Sequence, residues 1–485
     1  PHRRPERGLA VVPVPRSELI PAVARADEPA VVDESASARL AHAAPTAVRE
    51  LMATLHAAGH AVFVVGGSVR DVLLGREPVD WDLATDARPE QMLELLRGAA
   101  YENAFGTVAV RREGRTYEIT TFRSDHEYAD FRRPHRVEFG HALEDDLARR
   151  DFTVNAMAWG FRRGEASPAL VDPHDGRADA GVRILRAVGD PAARFSEDAL
   201  RMLRAVRLAT TLDFEIEPAT LAAIHRHAAL ARHLSGERIA AELDRLLAAG
   251  RPSRGLRLLQ ETGLLRTTVP ELAAQPGVPQ NKVAGEDLWD HTLRTVDSAP
   301  ADRPVLRLAA LLHDVAKPET LADGRFLGHD ALGADRAEEI LRRLRYPKPV
   351  VERVAHLVRH HMFSTDPAAS DAAIRRFIAR IGRPALDELL DLRAADNVGS
   401  GRAGEVGGLA DLRRRVAEQL EAEVALDRRD LAVDGNDLMA ELGLPPGPRL
   451  GRILEELLDR VIADPTLNDR PTLLLLARRL AEEGT

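Results

Sequence analysis

The run Val62–Asp86, VFVVGGSVRDVLLGREPVDWDLATD, constrains the fold of this chain more than any other stretch. Ala61–Val65 is apolar and rich in valine, as a buried strand requires, and it stops at Gly66–Gly67. Two glycines let the backbone approach a ligand closely, and Ser68 stands where a helix would begin with its free N–H groups facing outward. A strand predicted over Val79–Ala84 then puts Asp80 and Asp82 on one face and Trp81 on the other. Neighbouring carboxylates repel unless a hard cation lies between them. The unit reads as a triphosphate cradle beside a pair of Mg²⁺ ions, with Arg70 one turn into the helix to clamp a phosphate and Asp71 to orient it.

Around this unit, helical and strand periodicities alternate from Thr46 to Gly160: a helix over Ala47–Ala58 and strands over Thr107–Arg112 and Arg115–Phe122. After Asp190 the strand signal fades, and Asp198–Ala209, Thr220–His227 and Ser235–Ala249 repeat apolar residues at helical spacing. The chain has 485 residues, too many for one core. The expected division is a disordered tail (1–42), an α/β head (43–185), a helical neck (186–275), a histidine-bearing helical section (276–400) and a helical C-terminal arm (401–485). The tail has no signal-peptide core, and no apolar run reaches the ~20 residues of a membrane span. Cysteine is absent, which removes thiolate metal ligands and suits a reducing cytosol, so the expected location is cytoplasmic. The net charge of −9 provides no global basic field. Only Lys282, Lys317 and Lys348 are lysines among 67 basic residues, a bias that coding composition explains and that assigns no function.

Four motifs in order carry a resemblance: GGSVRDVLLGREPVDWDLATD, ALEDDLARRDFTVNAMAW from Ala142, DPHDGRADAGVRILRAV from Asp172 and FSEDALRMLRAVRLA from Phe195. Together they resemble the bacterial and eukaryotic class (class II) of CCA-adding tRNA nucleotidyltransferases and the related bacterial poly(A) polymerases. The resemblance implies a polymerase-β-like nucleotidyltransferase head followed by all-α domains. It further implies tRNA, CTP and ATP as partners, Mg²⁺ at Asp80 and Asp82, and catalysis by these two aspartates. Glu118 is the candidate third carboxylate, with Glu113 and Glu102 as alternatives. Gly66, Gly67, Ser68, Arg70, Asp71, Arg150, Asp151, Asn155 and Arg204 are implied to bind the nucleotide, Asp151 at the ribose 2′-hydroxyl. The polar segment Arg123–Gly140 resembles the loop that CCA-adding members use in switching from C to A.

The resemblance implies that Asp198 and Arg201 carry the family's protein template, and the chemistry of these residue types fits that role. Three apart on a helix, they share a face. A carboxylate accepts from the exocyclic amino group of cytosine or adenine while a guanidinium donates to ring acceptors. Uracil and guanine present a carbonyl instead, and such a mismatch in a buried site is rejected by a factor of ~10⁴.

His291, the adjacent His313–Asp314 and Asp396 form a second constellation, predicted on three helices. Imidazole and carboxylate ligands without thiolate suit a divalent metal of Mn²⁺, Ni²⁺, Fe²⁺ or Mg²⁺ type and leave a water to be activated. The order resembles the HD phosphohydrolase superfamily, with Lys317 at its lysine position and His329, His360 and His361 as candidates for a second metal. The leading expectation is template-independent CCA addition to tRNA, with an additional HD phosphohydrolase activity. The alternatives are a poly(A) polymerase, a CC- or A-adding enzyme on the same scaffold, or a metal-dependent phosphohydrolase whose head only binds RNA.

Overall fold

A computed structural model describes residues 34–103, 106–128, 134–140, 142–280, 282–422 and 424–483. The head is built on nine strands: β1 (Val62–Val65), β2 (Asp82–Thr85), β3 (Ala99–Asn103), β4 (Thr107–Arg112), β5 (Arg115–Thr121), β6 (Arg123–Tyr128), β7 (Pro134–Phe139), β8 (Ala158–Phe161) and β9 (Ala169–Val171). Seven of them form a mixed sheet in the order β3-β4-β5-β2-β1-β8-β9, and β6 and β7 form a separate hairpin. Strand alternation gives the sheet two faces. Val62, Val64, Leu83, Val108 and Ile119 pack beneath the helices Glu34–Ala43 and Thr46–Ala57 with Leu40, Met52 and Leu55. The opposite face carries a smaller cluster of Phe63, Val65, Ala84, Phe122, Leu143 and Leu147.

Two expectations are corrected here. The chain is helical from Glu34, inside the stretch expected to be a disordered tail. Ala36 and Leu40 lie one turn apart and are buried, and the Trp159 indole donates to Ser37 Oγ at 2.8 Å. Burial against the sheet, which local composition does not report, supplies the stabilisation. Strand β2 also begins at Asp82, three residues later than Val79. Asp82 pairs with Val65, the last residue before β1 turns away at Gly66, so Val79–Trp81 have no β1 backbone to bond. Side chains still alternate, with Trp81 buried and Asp80 and Asp82 exposed.

Beyond the head the chain is almost wholly helical. The neck helices Leu200–Leu212, Pro218–His227 and Gly236–Leu247 share one apolar core with Leu288–Ser298, Pro304–Leu312, His329–Arg343, Lys348–His360 and Leu386–Gly399 of the histidine-bearing section. The C-terminal helices Gly435–Leu442, Pro448–Ala463 and Arg470–Glu483 form their own core around Leu438, Leu457 and Leu473. Buried Arg375 ties that arm down by donating to the carbonyls of Ile462 and Ala463, 2.6 and 3.0 Å away. Among the described residues no helix is long and apolar enough to cross a membrane.

Candidate active site and metal centre

Gly66 ends β1 with φ +79°, and a Cβ there would lie 2.8 Å from Arg150 Nη1, so only glycine permits the turn beside that guanidinium. Ser68 falls inside the helix Gly67–Leu73, not at its cap, and its hydroxyl donates to the Val65 carbonyl at 3.3 Å. Five of the expected nucleotide-binding residues form one hydrogen-bonded chain. Arg70 donates to Asp71 (Nε, 2.9 Å) and to Asn155 Oδ1 (2.5 Å), Asn155 donates to Asp151 (3.2 Å), and Arg204 donates to the other Asp151 oxygen at 2.7 Å. Burial by itself would raise the Asp151 carboxyl, but the Arg204 guanidinium and the Asn155 amide hold it down to about 2. Arg150 is steered by Asp146, a buried carboxylate that also takes Arg149 at 2.6 Å. Asp146 was missed in the sequence, although its spacing of three and four residues from these arginines is a helix-face signal.

The parallel register of β2 and β5 sets Leu83 against Ile119, so Asp82 and Glu118 stand side by side on the open face. The surface of Asp82 is open, but the protein around its carboxyl strips away part of its water and, with the neighbouring Asp80, raises it against the pull of Arg150. Glu118, also open at its surface, is raised by partial loss of water around its carboxyl, then by Asp82, Glu102 and Asp80. Glu113 is excluded from the group, because it forms the β4–β5 turn with φ +49° at the far end of the hairpin. Carboxylates that repel one another in this way fit a divalent cation.

Asp198 and Arg201 do not share a helix face. Asp198 lies between the helices Pro191–Glu197 and Leu200–Leu212, and each of the two side chains has its own partner. Asp198 accepts from Arg238 at 2.7 Å, and Arg201 donates to Glu197 at 2.6 Å. The segment expected to switch between C and A comprises the β6–β7 hairpin, with Arg123 paired to Phe139, while residues 129–133 lie outside the described residues.

The second centre is a buried array. His291 and Asp396 project from helices, whereas His313 and Asp314 sit just past the end of Pro304–Leu312 instead of within a helix. His291, His313 and Asp396 form one group with ligand atoms within 4.8 Å of one another, and Asp314, His329 and His361 form another. Asp314 faces both groups: Oδ2 lies 3.2 Å from His291 and 3.1 Å from His313, and Oδ1 lies 3.5 Å from His329 and 3.6 Å from His361. His313, His329 and His361 each place Nδ1 within 2.8 Å of a backbone carbonyl, a bond only an N–H makes, so Nε2 carries the lone pair. Burial holds the His291 and His329 rings below the ordinary histidine value, which favours the neutral ligand form. Buried Asp314 Oδ1 and His329 Nε2 have no hydrogen-bond partner. A bridging carboxylate between two sets of imidazole lone pairs fits two divalent ions. His360 is not part of it; its ring packs on His356.

Lys317 reaches Asp314 at 2.6 Å, and Lys282, which sequence reasoning passed over, reaches Asp396 at 3.6 Å. The centre opens into a cavity of about 560 Å³ whose wall carries both lysines with Arg325, Arg393 and Arg402.

Comparison with known proteins gives matches over the head, the neck and the histidine-bearing section. The poly A polymerase head domain model matches residues 62–186, the model for a probable RNA and SrmB-binding site of polymerase A matches 213–275, and the HD domain model matches 284–400. The CCA-adding enzyme of Levilactobacillus brevis is 35% identical over 427 residues, 88% of this chain and 96% of that protein. The A-adding tRNA nucleotidyltransferase of Deinococcus radiodurans is 37% identical over 416 residues, 81% of this chain and 90% of that protein. The crystal structure of the Bacillus stearothermophilus CCA-adding enzyme in complex with CTP superposes with a TM-score of 0.67 at 30% identity, covering 90% of this chain and 98% of that one. Identity of this extent over nearly the whole length, with both divalent-metal domains matched in order, places the chain in the CCA-adding enzyme family of nucleotidyltransferases.

Proposed function

We propose that this enzyme builds CCA at the 3′ end of tRNA from CTP and ATP without a nucleic-acid template. The observation that carries the reading is Asp82 and Glu118 on the open face of the sheet, with Asp80 close enough to repel both, together with the Gly66 turn and the Asp71–Arg70–Asn155–Asp151–Arg204 chain. In the reaction the terminal 3′-oxygen of the RNA attacks the α-phosphorus of the nucleotide, the bond to the bridging oxygen breaks, and pyrophosphate leaves. Asp80, Asp82 and Glu118 would hold the Mg²⁺, which when bound would supply the charge that activates the attacking oxygen and stabilises the leaving group. Gly66 and Gly67 admit the triphosphate against the start of the helix, Arg150 faces it, and Asp151 accepts the ribose 2′-hydroxyl while Arg204 keeps it ionised. Asp198 and Arg201 read the base. The four sections carry separate tasks: transfer in the head (43–185), selection and RNA binding in the neck (186–275), metal chemistry at 276–400 and the tRNA elbow on the arm (401–485). The protein works in the cytoplasm.

A second activity rests on the histidine array: hydrolysis of a phosphoester by a pair of divalent ions, with Lys317 and the cavity's arginines receiving the phosphate.

The test is a gel assay on a tRNA transcript ending at the discriminator base. Two additions with CTP and a third only when ATP is present support CCA synthesis. A single A on a transcript already ending in CC, with none from CTP, makes it an A-adding enzyme. A long ATP ladder makes it a poly(A) polymerase, and no extension leaves only the histidine centre as a catalyst. Asp80→Ala abolishes transfer while RNA binding by gel shift persists; retained transfer would overturn the metal assignment.

A further inference from the structure

The loop that joins the neck to the histidine-bearing section is pinned at its base and rests on the candidate metal ligands. Pro279 pairs with Asp287 in an isolated antiparallel bridge, and the Leu288 amide donates to the Val278 carbonyl at 2.9 Å. The Gly277 amide donates to the Asp287 carboxylate at 2.7 Å. On the return side Arg294 donates to Glu286 at 2.6 Å and to the Gly399 carbonyl at 2.8 Å, which ties the loop to the end of the helix that carries Asp396. Between these anchors Gln280 Nε2 lies 3.4 Å from Asp314 Oδ2, and Lys282 Nζ lies 3.6 Å from Asp396 Oδ1.

The two lysines of the cavity are not equivalent. Lys317 is held by Asp314 at 2.6 Å, with its ammonium 5.3 Å from the centre of the Phe326 ring, so its charge is already committed. Lys282 stands farther from its carboxylate than a good hydrogen bond reaches, and it lines the cavity. Its charge attracts Asp396, but its N–H donors are left for a ligand. Asp396 belongs with His291 and His313 to one candidate metal group, so a cation beside it opposes a metal ion there. A site that only had to hold metal would do better without a lysine at that place. A lysine there favours an anion that enters the cavity after the metal, and a phosphate group is such an anion.

Resting on the reading of the histidine array as a phosphohydrolase centre, we propose that Lys282 is a phosphate-binding residue of that centre, supplied by the loop from the neck. Its ammonium holds the substrate's phosphoryl oxygens on the Asp396 side of the cavity, while Lys317 faces them from the Asp314 side. Lysine suits this task, because a compact charge on a flexible stem can turn from a carboxylate to a phosphate. The phosphate pocket is thus completed by the connection to the neck, not by the histidine-bearing helices alone.

Calorimetric titration of the chelated full-length enzyme with Mn²⁺ alone, and then of the Mn²⁺-loaded enzyme with inorganic phosphate, tests this. The variant with His313 and Asp314 both replaced by alanine, titrated in parallel, gives the head's share to be subtracted. Lys282→Met keeps the apolar stem without the charge. It binds Mn²⁺ about tenfold more tightly and phosphate about tenfold more weakly, the effect of one nearby charge, and Lys282→Arg recovers most of the phosphate affinity. The opposite signs are the signature, because a counter-ion that only steadied Asp396 would not loosen phosphate while tightening metal. Phosphate affinity unchanged in Lys282→Met, or both affinities falling together, would overturn the proposal and leave Lys282 a counter-ion to Asp396. Native enzyme that takes up no more Mn²⁺ than the double alanine variant would sink the phosphohydrolase reading itself, a separate outcome.

Discussion

Asp151 shows how one residue can lie in the candidate site and also contribute to the stability of the fold. Its carboxyl titrates at about 2, against 3.8 for an ordinary aspartate, so its contribution is fully present above 3.8 and is lost as the pH falls from there through about 2. Asp151→Asn is therefore expected to cost about 2 kcal/mol at neutral pH. Urea unfolding should show the gap to the native protein closing only in that acidic window. Asp82 and Glu118 have the opposite sign: partial desolvation of the carboxyls and mutual repulsion favour their protonated forms, and a cation must displace those protons. The Mg²⁺ concentration needed for half-maximal transfer should rise on acidification from a pH above the normal carboxylate range. Metal titration of activity across pH checks this, and a flat profile would exclude these groups as ligands.

The helix Gly236–Leu247 has a similar double role as an element. Its first turn holds Asp198, Asp244 accepts from Tyr346 at 2.6 Å, and its C-terminal end is received by Arg307. Arg307 is buried and donates to the carbonyls of Leu247, Ala249 (2.6 Å) and Ala299 (2.9 Å). These bonds satisfy helix-end acceptors that would otherwise be orphaned within the core. Arg307→Met should cost about 2–4 kcal/mol, because the carbonyls stay buried without donors. It should lower the melting temperature of the full chain without removing any group from the head site, which differential scanning calorimetry can measure.

For the whole molecule, one apolar core runs from the neck through the histidine-bearing section, yet the candidate metal ligands of the head and of the histidine centre are separate residues. Replacing both His313 and Asp314 by alanine should leave CCA addition in place while divalent-metal binding at the histidine centre, followed by calorimetric titration of chelated protein, is lost. Loss of addition in a folded double variant would show that the head depends on the second centre.

The alternation of strand and helix periodicity, the Gly66–Gly67 break, and Asp80 and Asp82 were all legible in the sequence, because local sterics and side-chain period fix them. His291, His313, Asp314 and Asp396 were legible as chemistry, although His313 and Asp314 fall beyond a helix end that periodicity cannot place. The helix at Glu34 was not legible, since its stability comes from a sheet formed more than twenty residues later. His361 and His360 are adjacent in sequence, and only the packing of Lys348–His360 decides that the first enters the array and the second turns to His356. The same holds for Asp198: sequence spacing set it beside Arg201, but the contact that occupies it comes from Arg238 across the fold. Residue type and period determined what chemistry this chain possesses. Which partner each charged group meets was decided by tertiary packing, because a buried charge takes the partner that the fold places within reach.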